Sequence, residues 1–198
     1  MRILLESLLA IVAVDFVSGL VHWLEDTFWT EQTPVFGRWI VVPNSRHHRD
    51  GLAFVKNSWL QSSWDLLLSG LLVLLAARAL GVLGWPVWLF VFIGVNANQI
   101  HKWAHLPRGA VPVPIHWLQR LHVLQSPVHH AAHHVADKNS HYCVVTNLVN
   151  PILDGIRFWR ALEWLLVPVF GAPRREDLNR QGRFDRSPRQ QQPQQGAL

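Results

Sequence analysis

Apolar residues run along this chain in long blocks, not in the alternating pattern of a half-buried strand. Three blocks are long enough to cross a bilayer core of about 30 Å, which takes roughly 20 helical residues: Ile3 to Trp23, Trp64 to Leu80, and Pro86 to His105. Gly81 to Pro86 reads GVLGWP, a helix-breaking turn, so the second and third blocks form a membrane hairpin. Arg78 near that turn can extend its cationic head to the lipid headgroups. The first block carries Glu6 and Asp15 and no small-residue cleavage site, which predicts a retained helix and not a cleaved signal peptide. From Ala110 to Gln125 the pattern is broken by Pro112 and Pro114, predicting an interfacial helix that starts after Pro114. Pro151 to Phe170 mixes Trp and Leu with Arg157, Arg160 and Glu163, an amphipathic stretch suited to the interface or to a fourth span. The expected fold is all-α: an integral membrane helical bundle of three to four spanning helices plus interfacial helices. Residues 1–171 form one membrane domain, and the Arg-, Gln- and Pro-rich residues 172–198 form a disordered tail.

Composition sharpens this picture. Of 198 residues, 49% are hydrophobic and 16% charged, and the chain holds 12 His and 11 Trp. Tryptophan favours membrane interfaces, and neutral imidazole is the commonest metal ligand. The single Cys143 excludes an intrachain disulfide framework and cysteine-rich zinc or iron–sulfur sites. The net charge of +5 is not gathered into a basic stripe, so nucleic acid is not an expected partner and an anionic lipid surface is.

The histidines fall in four elements. HKWAH places His101 and His105 one helical turn apart on one face, and HWLED does the same for His22 and Asp26. HHAAHH offers His129 with His133 and His130 with His134, and SRHHRD offers the doublet His47 and His48 on a loop or helix start. Three crossings bring all four elements to the same membrane face. That face also carries Arg38, Arg46, Arg49, Lys56, Lys102, Arg108 and Arg120, so the positive-inside rule makes it cytoplasmic. Eight or so nitrogens and a carboxylate exceed what one tetrahedral zinc takes, and no thiolates favour Cu(I). Two non-haem iron ions with positions open to dioxygen suit the set. A bis-His haem cytochrome, a metal carrier and a di-iron hydroxylase are the alternatives at this point.

The motifs DFVSGLVHWLED (Asp15 to Asp26), RHH (Arg46 to His48), NQIHKWAH (Asn98 to His105), HHAAHH (His129 to His134), YCVVTNLVN (Tyr142 to Asn150) and FWRALE (Phe158 to Glu163) stand in an order that resembles the plasmanylethanolamine desaturase family. That family of lipid desaturase domains includes a bacterial carotenoid-regulation protein and the plastid desaturase of phosphatidylglycerol. The resemblance implies a membrane oxidoreductase that introduces a double bond into an alkyl or acyl chain of a phospholipid. It implies dioxygen and a cytochrome b5- or ferredoxin-like electron donor. It carries over His22, Asp26, His47, His48, His101, His105, His130, His133 and His134 as metal ligands, with His129 in a second tier, and makes His101, His105, His133 and His134 indispensable to turnover. His122 resembles the ether-lipid branch, whereas YCVVTN resembles the plastid branch as much. After the doublet this chain reads Arg49, Asp50 and Gly51, where family members often continue with an acid or aromatic residue and Pro. His116 and His141 match no ligand motif. Asn98, Gln99 and Asp15 are expected to hydrogen-bond ligand imidazoles.

Overall fold

A computed structural model describes residues 1–135 and 139–171, and the residues 172–198 expected to form a disordered tail lie outside the described set. Among the described residues there are helices and no strands. The chain runs α1 (Arg2–Thr27), α2 (Val42–Arg49), α3 (Gly51–Val55), α4 (Trp59–Ala79), α5 (Trp85–Val95), α6 (Ala97–His105), α7 (Val113–Arg120), α8 (Pro127–Val135), α9 (Val149–Gly155) and α10 (Phe158–Phe170), with a wide π-helical turn at Gly37–Val41 leading into α2.

Two of these, α1 and α4, are long and apolar enough to cross a membrane. Their leucines point outward: Leu4, Leu9, Leu68 and Leu72 are all more than half exposed, as expected where lipid replaces water as the surrounding medium. α4 begins five residues before the expected Trp64, because Ser58 and Gln61 form a reciprocal capping box that satisfies the first free N–H groups. The third expected span is divided. α5 stops at Asn96, whose side chain donates to the Phe92 carbonyl at 2.8 Å while accepting from Trp59 Nε1 at 3.1 Å. α6 then restarts as a polar, histidine-bearing helix. Gly70 lets α5 pack closely on α4, since a Cβ there would lie 2.9 Å from Val91.

Helix α7, expected at the interface, opens at Val113 with Pro114 in its first turn, where a missing N–H costs nothing. Pro151 to Phe170 forms two helices, broken where Arg157 adopts a left-handed conformation (φ 56°). α10 has 13 residues, a rise of roughly 20 Å, too short to span alone. It buries Trp159 and Glu163 and exposes Trp164, Leu165 and Val169, the division expected of an amphipathic helix.

The main aromatic core joins Trp23 and Phe28 of the first helix end to Tyr142, Cys143, Leu153 and Trp159. Residues 139–148, leading into α9, have no regular structure although Tyr142 to Thr146 are buried, so their backbone needs side-chain partners. Asp15 accepts from the Val145 N–H at 2.9 Å and from the Thr146 hydroxyl. Gln125 donates to the Cys143 carbonyl at 2.7 Å, and Asn150 pairs with both the N–H and the carbonyl of Cys143. Asp15 thus positions backbone and not an imidazole, and Asn98 donates to the Ser62 carbonyl. Both differ from the expected roles, because buried backbone groups near helix ends claim these side chains first.

Candidate metal centre

Helix geometry sorts the histidines. Residues four apart share a face, whereas neighbours lie about 100° apart. Three of the four i,i+4 pairs stay together and the doublets divide, while His129 parts from His133. His101 and His105 on α6 meet His130 and His134 on α8, and His47 on α2 completes a five-imidazole group. His22 and Asp26 on α1 meet His48 and His133, the other members of the two doublets. Within each group one ligand atom per residue lies within 4.8 Å of every other. The groups abut, with ring centroids of His48 and His134 5.0 Å apart and those of His47 and His48 5.3 Å apart. The doublet His47 and His48 sits in the last turn of α2 and not on a loop, because Pro43 in the first turn starts that helix and extended Asp50 ends it.

In the five-imidazole group His130 Nε2 lies 2.9 Å from His101 Nε2, 2.8 Å from His105 Nε2 and 2.9 Å from His134 Nε2. A neutral imidazole has one N–H, so one proton cannot satisfy three such contacts, and several lone pairs face one another. Both ring nitrogens of buried His47 lack a hydrogen-bond partner. Burial, reinforced by the surrounding imidazoles, pushes the pKa values of His47 and His130 well below the ordinary histidine value and that of His134 down to about 2. The rings are thus neutral, and crowding them without a cation costs free energy that a bound metal would return.

The second group is braced from outside. His22 Nδ1–H donates to the Tyr142 carbonyl at 3.0 Å and His133 Nδ1–H to the Ser140 carbonyl at 2.8 Å. A carbonyl only accepts, so each Nδ1 carries the proton and each Nε2 lone pair turns inward. Those inward atoms, His22 Nε2 and His133 Nε2, are buried without hydrogen bonds, 3.6 and 3.2 Å from Asp26 Oδ2. Asp26 Oδ1 accepts from Asn44 Nδ2 at 2.6 Å and faces His48 Nε2 at 2.9 Å. Imidazole nitrogens and a carboxylate with unused buried lone pairs are a donor set suited to iron.

Nine of the ten residues expected as ligands stand in these groups. His129 does not: it is on the outer side of α8, its Nε2 3.1 Å from Asn150 Nδ2 and its ring against His141. His122 Nδ1 meets Asn147 Nδ2 at 2.6 Å, and His141 stands 3.3 Å from Asp154, so both are engaged elsewhere. Sequence reasoning missed the carbonyls of Tyr142 and Ser140, which leave no side-chain signal, and Asn44 and Gly51. A Cβ on Gly51 would lie 2.7 Å from His105 Nδ1, so this glycine makes room for a ligand imidazole. Its position three residues beyond the doublet was the available hint.

Residues 11–177 match the lipid desaturase domain family. The chain is 33% identical over 180 residues to plasmanylethanolamine desaturase of Myxococcus xanthus, covering 86% of this chain and 63% of that protein. It is 37% identical over 183 residues to mouse plasmanylethanolamine desaturase 1, covering 85% and 66%. Chloroplastic fatty acid desaturase 4-like 1 of Arabidopsis thaliana is 29% identical over 173 residues, covering 81% and 55%. The chain thus spans somewhat under two thirds of the length of these relatives. No solved structure matches it. The match and the motifs in HKWAH and HHAAHH agree, and the chain belongs to the lipid desaturase domain family.

Proposed function

We propose that this protein is a membrane di-iron desaturase that introduces a double bond into a hydrocarbon chain of a phospholipid, with a plasmanyl-to-plasmenyl conversion as the specific reaction. The observation that carries this reading is the pair of abutting, buried donor groups, one of five imidazoles and one of three imidazoles with Asp26. His47, His101, His105, His130 and His134 would hold one iron, and His22, Asp26, His48 and His133 the other. The irons would supply the dioxygen-dependent oxidation that removes two hydrogens from an unactivated chain.

The protein's own groups prepare that chemistry. The Tyr142 and Ser140 carbonyls keep the protons of His22 and His133 on Nδ1, so Nε2 is free to bind. Asn44 steadies Asp26 Oδ1, and Phe54, 5.2 Å from His47 and 5.1 Å from His101, closes one side of the five-imidazole group with an apolar ring. Excluding water there limits loss of oxidant to solvent. Cationic residues beside the donor groups support a site at the cytoplasmic face of a multi-pass protein. Electrons would come from a cytochrome b5- or ferredoxin-like donor.

A haem alternative needs two imidazoles separated by a porphyrin, whereas three Nε2 atoms crowd around that of His130 at 2.8–2.9 Å. The deciding experiment measures iron in the purified full chain together with lipid products. About two irons per chain and a product lighter by two hydrogens are expected. Stoichiometric zinc, a Soret band, or a product heavier by one oxygen would reject the proposal.

A further inference from the structure

The helix that supplies His47 and His48 has a second face. Arg46 and Arg49 flank the doublet, and with Glu31, Asp50, Val42 and Ala53 they line an open cavity of about 460 Å³. This lies within the range of small-molecule sites, roughly 300–1,000 Å³. Two guanidinium groups and two carboxylates give it no net charge. Arg49 Nη2 stands 3.5 Å from Glu31 Oε1, a loose pair whose side chains are 67% and 45% exposed, so a ligand can separate it at little cost. Asp50 Oδ1 already accepts from the Leu52 N–H. Arg46 has no carboxylate within ion-pair distance among the described residues. Val42 and Ala53 add an apolar wall.

We propose that this cavity is a subsite for a zwitterionic phospholipid headgroup. The Arg46 guanidinium, joined by Arg49, takes the phosphate through paired N–H donors, and Glu31 takes the ammonium group. The assignment rests on the lipid-desaturase reading of the adjoining centre. Three features favour a headgroup carrying both charges over a purely anionic one. The wall offers both signs in equal number, the Arg49–Glu31 pair must open to receive either, and a lone negative ligand would leave Glu31 facing it. Peptide continuity from Arg46 to His47 sets the headgroup beside the oxidising centre, so its grip determines which lipid is presented.

The test is binding of water-soluble short-chain lipids to the purified full chain, read by native mass spectrometry, with iron measured on the same samples. Dihexanoyl phosphatidylethanolamine should bind more tightly than dihexanoyl phosphatidylglycerol. Arg46→Gln should weaken it about tenfold, the scale of one lost charge-assisted hydrogen-bonded pair, while Arg46→Lys, which keeps the charge and loses the paired donors, should weaken it less. Glu31→Gln should erase the preference for the amine headgroup with little loss of phosphatidylglycerol binding. Equal affinity of wild type and Arg46→Gln, at unchanged iron content, would overturn the subsite. So would equal binding of the two lipids unaffected by Glu31→Gln. Inorganic phosphate competing as tightly as the lipid would make this a phosphate site and overturn the lipid source. Arg46-dependent lipid binding by a chain that holds no iron and forms no alkene would sink the desaturase reading and leave the headgroup subsite standing.

Discussion

The two donor groups share α2 and α8, but one draws its remaining residues from α6 and the other from α1, and they are held in different ways. In the group of His22, Asp26, His48 and His133, two imidazoles are pinned by backbone carbonyls and the carboxylate is steadied by Asn44. The group of His47, His101, His105, His130 and His134 has no carboxylate, and its rings are held by packing on one another, on Phe54 and over Gly51. The first is preorganised and carries a charge that compensates a cation. The second offers more donors and leaves His105 and His134 partly exposed. Preorganisation with few donors makes each one indispensable, whereas surplus donors let a metal remain after one is lost. A site that must stay assembled through oxidation benefits from the first arrangement, and one that must open to dioxygen and chain from the second.

The largest effect should come from Asp26, the carboxylate of the pinned group. Asp26→Asn keeps the shape and removes the charge that faces three imidazoles. Turnover should fall to background and iron from about two per chain toward one. Retention of both irons by Asp26→Asn, with activity, would show that the carboxylate is structural. His101→Ala, His105→Ala or His134→Ala should also abolish turnover, yet each leaves four imidazoles, so iron should fall by less than in Asp26→Asn. Equal iron loss in both sets would erase the proposed difference between the groups.

Smaller again is the effect of Gly51→Ala. The new Cβ would press on His105 Nδ1, and displacing a ligand through its support costs about 10- to 100-fold in activity or metal affinity. Loss confined to the five-imidazole group is expected, read as a change in the spectroscopic signature of one iron. An unchanged enzyme would mean that His105 can shift without consequence.

Acid should act on the same group. His47, His130 and His134 have pKa values depressed by burial, so below the ordinary histidine value of about 6.5 the unfolded chain binds protons that the folded chain refuses. Stability of the metal-free protein is thus fully present above pH 6.5 and declines as pH falls toward the depressed native values. A melting temperature that drops between pH 7.5 and 5 is expected, with His134→Gln flattening the slope. A slope of opposite sign would contradict neutral, buried rings.

Much of this centre was legible because its residues obey helical periodicity. HKWAH and HWLED announce shared faces, and hydropathy brings them to one side. What stayed hidden depends on tertiary partners. That the doublets divide between groups follows from 100° of helix rotation, but which member joins which group depends on how α2 and α8 are turned. His129 has the same spacing to His133 as His130 has to His134, and its outward place, against Asn150 and His141, shows only in the fold. The division of the third apolar block at Asn96 has no signal stronger than the polar residues Asn96, Asn98 and Gln99 after an apolar run. Carbonyl anchors at Tyr142 and Ser140 are invisible in a sequence, since every residue has a carbonyl and only the fold aims it.

The smallest effect should come from Cys143, which borders the pinned group through its neighbour Tyr142. Its side chain is fully buried, its Sγ would lie 2.5 Å from a Cβ on Gly19, and burial raises its pKa above the usual thiol range. Burial disfavours the thiolate, and the sequence holds no second cysteine to pair with it, so disulfide and thiolate chemistry are not expected of this thiol. Cys143→Ala removes one buried atom beside the aromatic core, a loss of about 1 kcal/mol, which lowers the melting temperature by roughly 2–4 °C in a chain of this size. Activity per folded molecule should stay unchanged, because the Cys143 backbone and not its sulfur is what Asn150 and Gln125 hold. Loss of turnover with no loss of stability would reveal a redox role for this thiol, and the pinned group would then owe its behaviour to more than geometry.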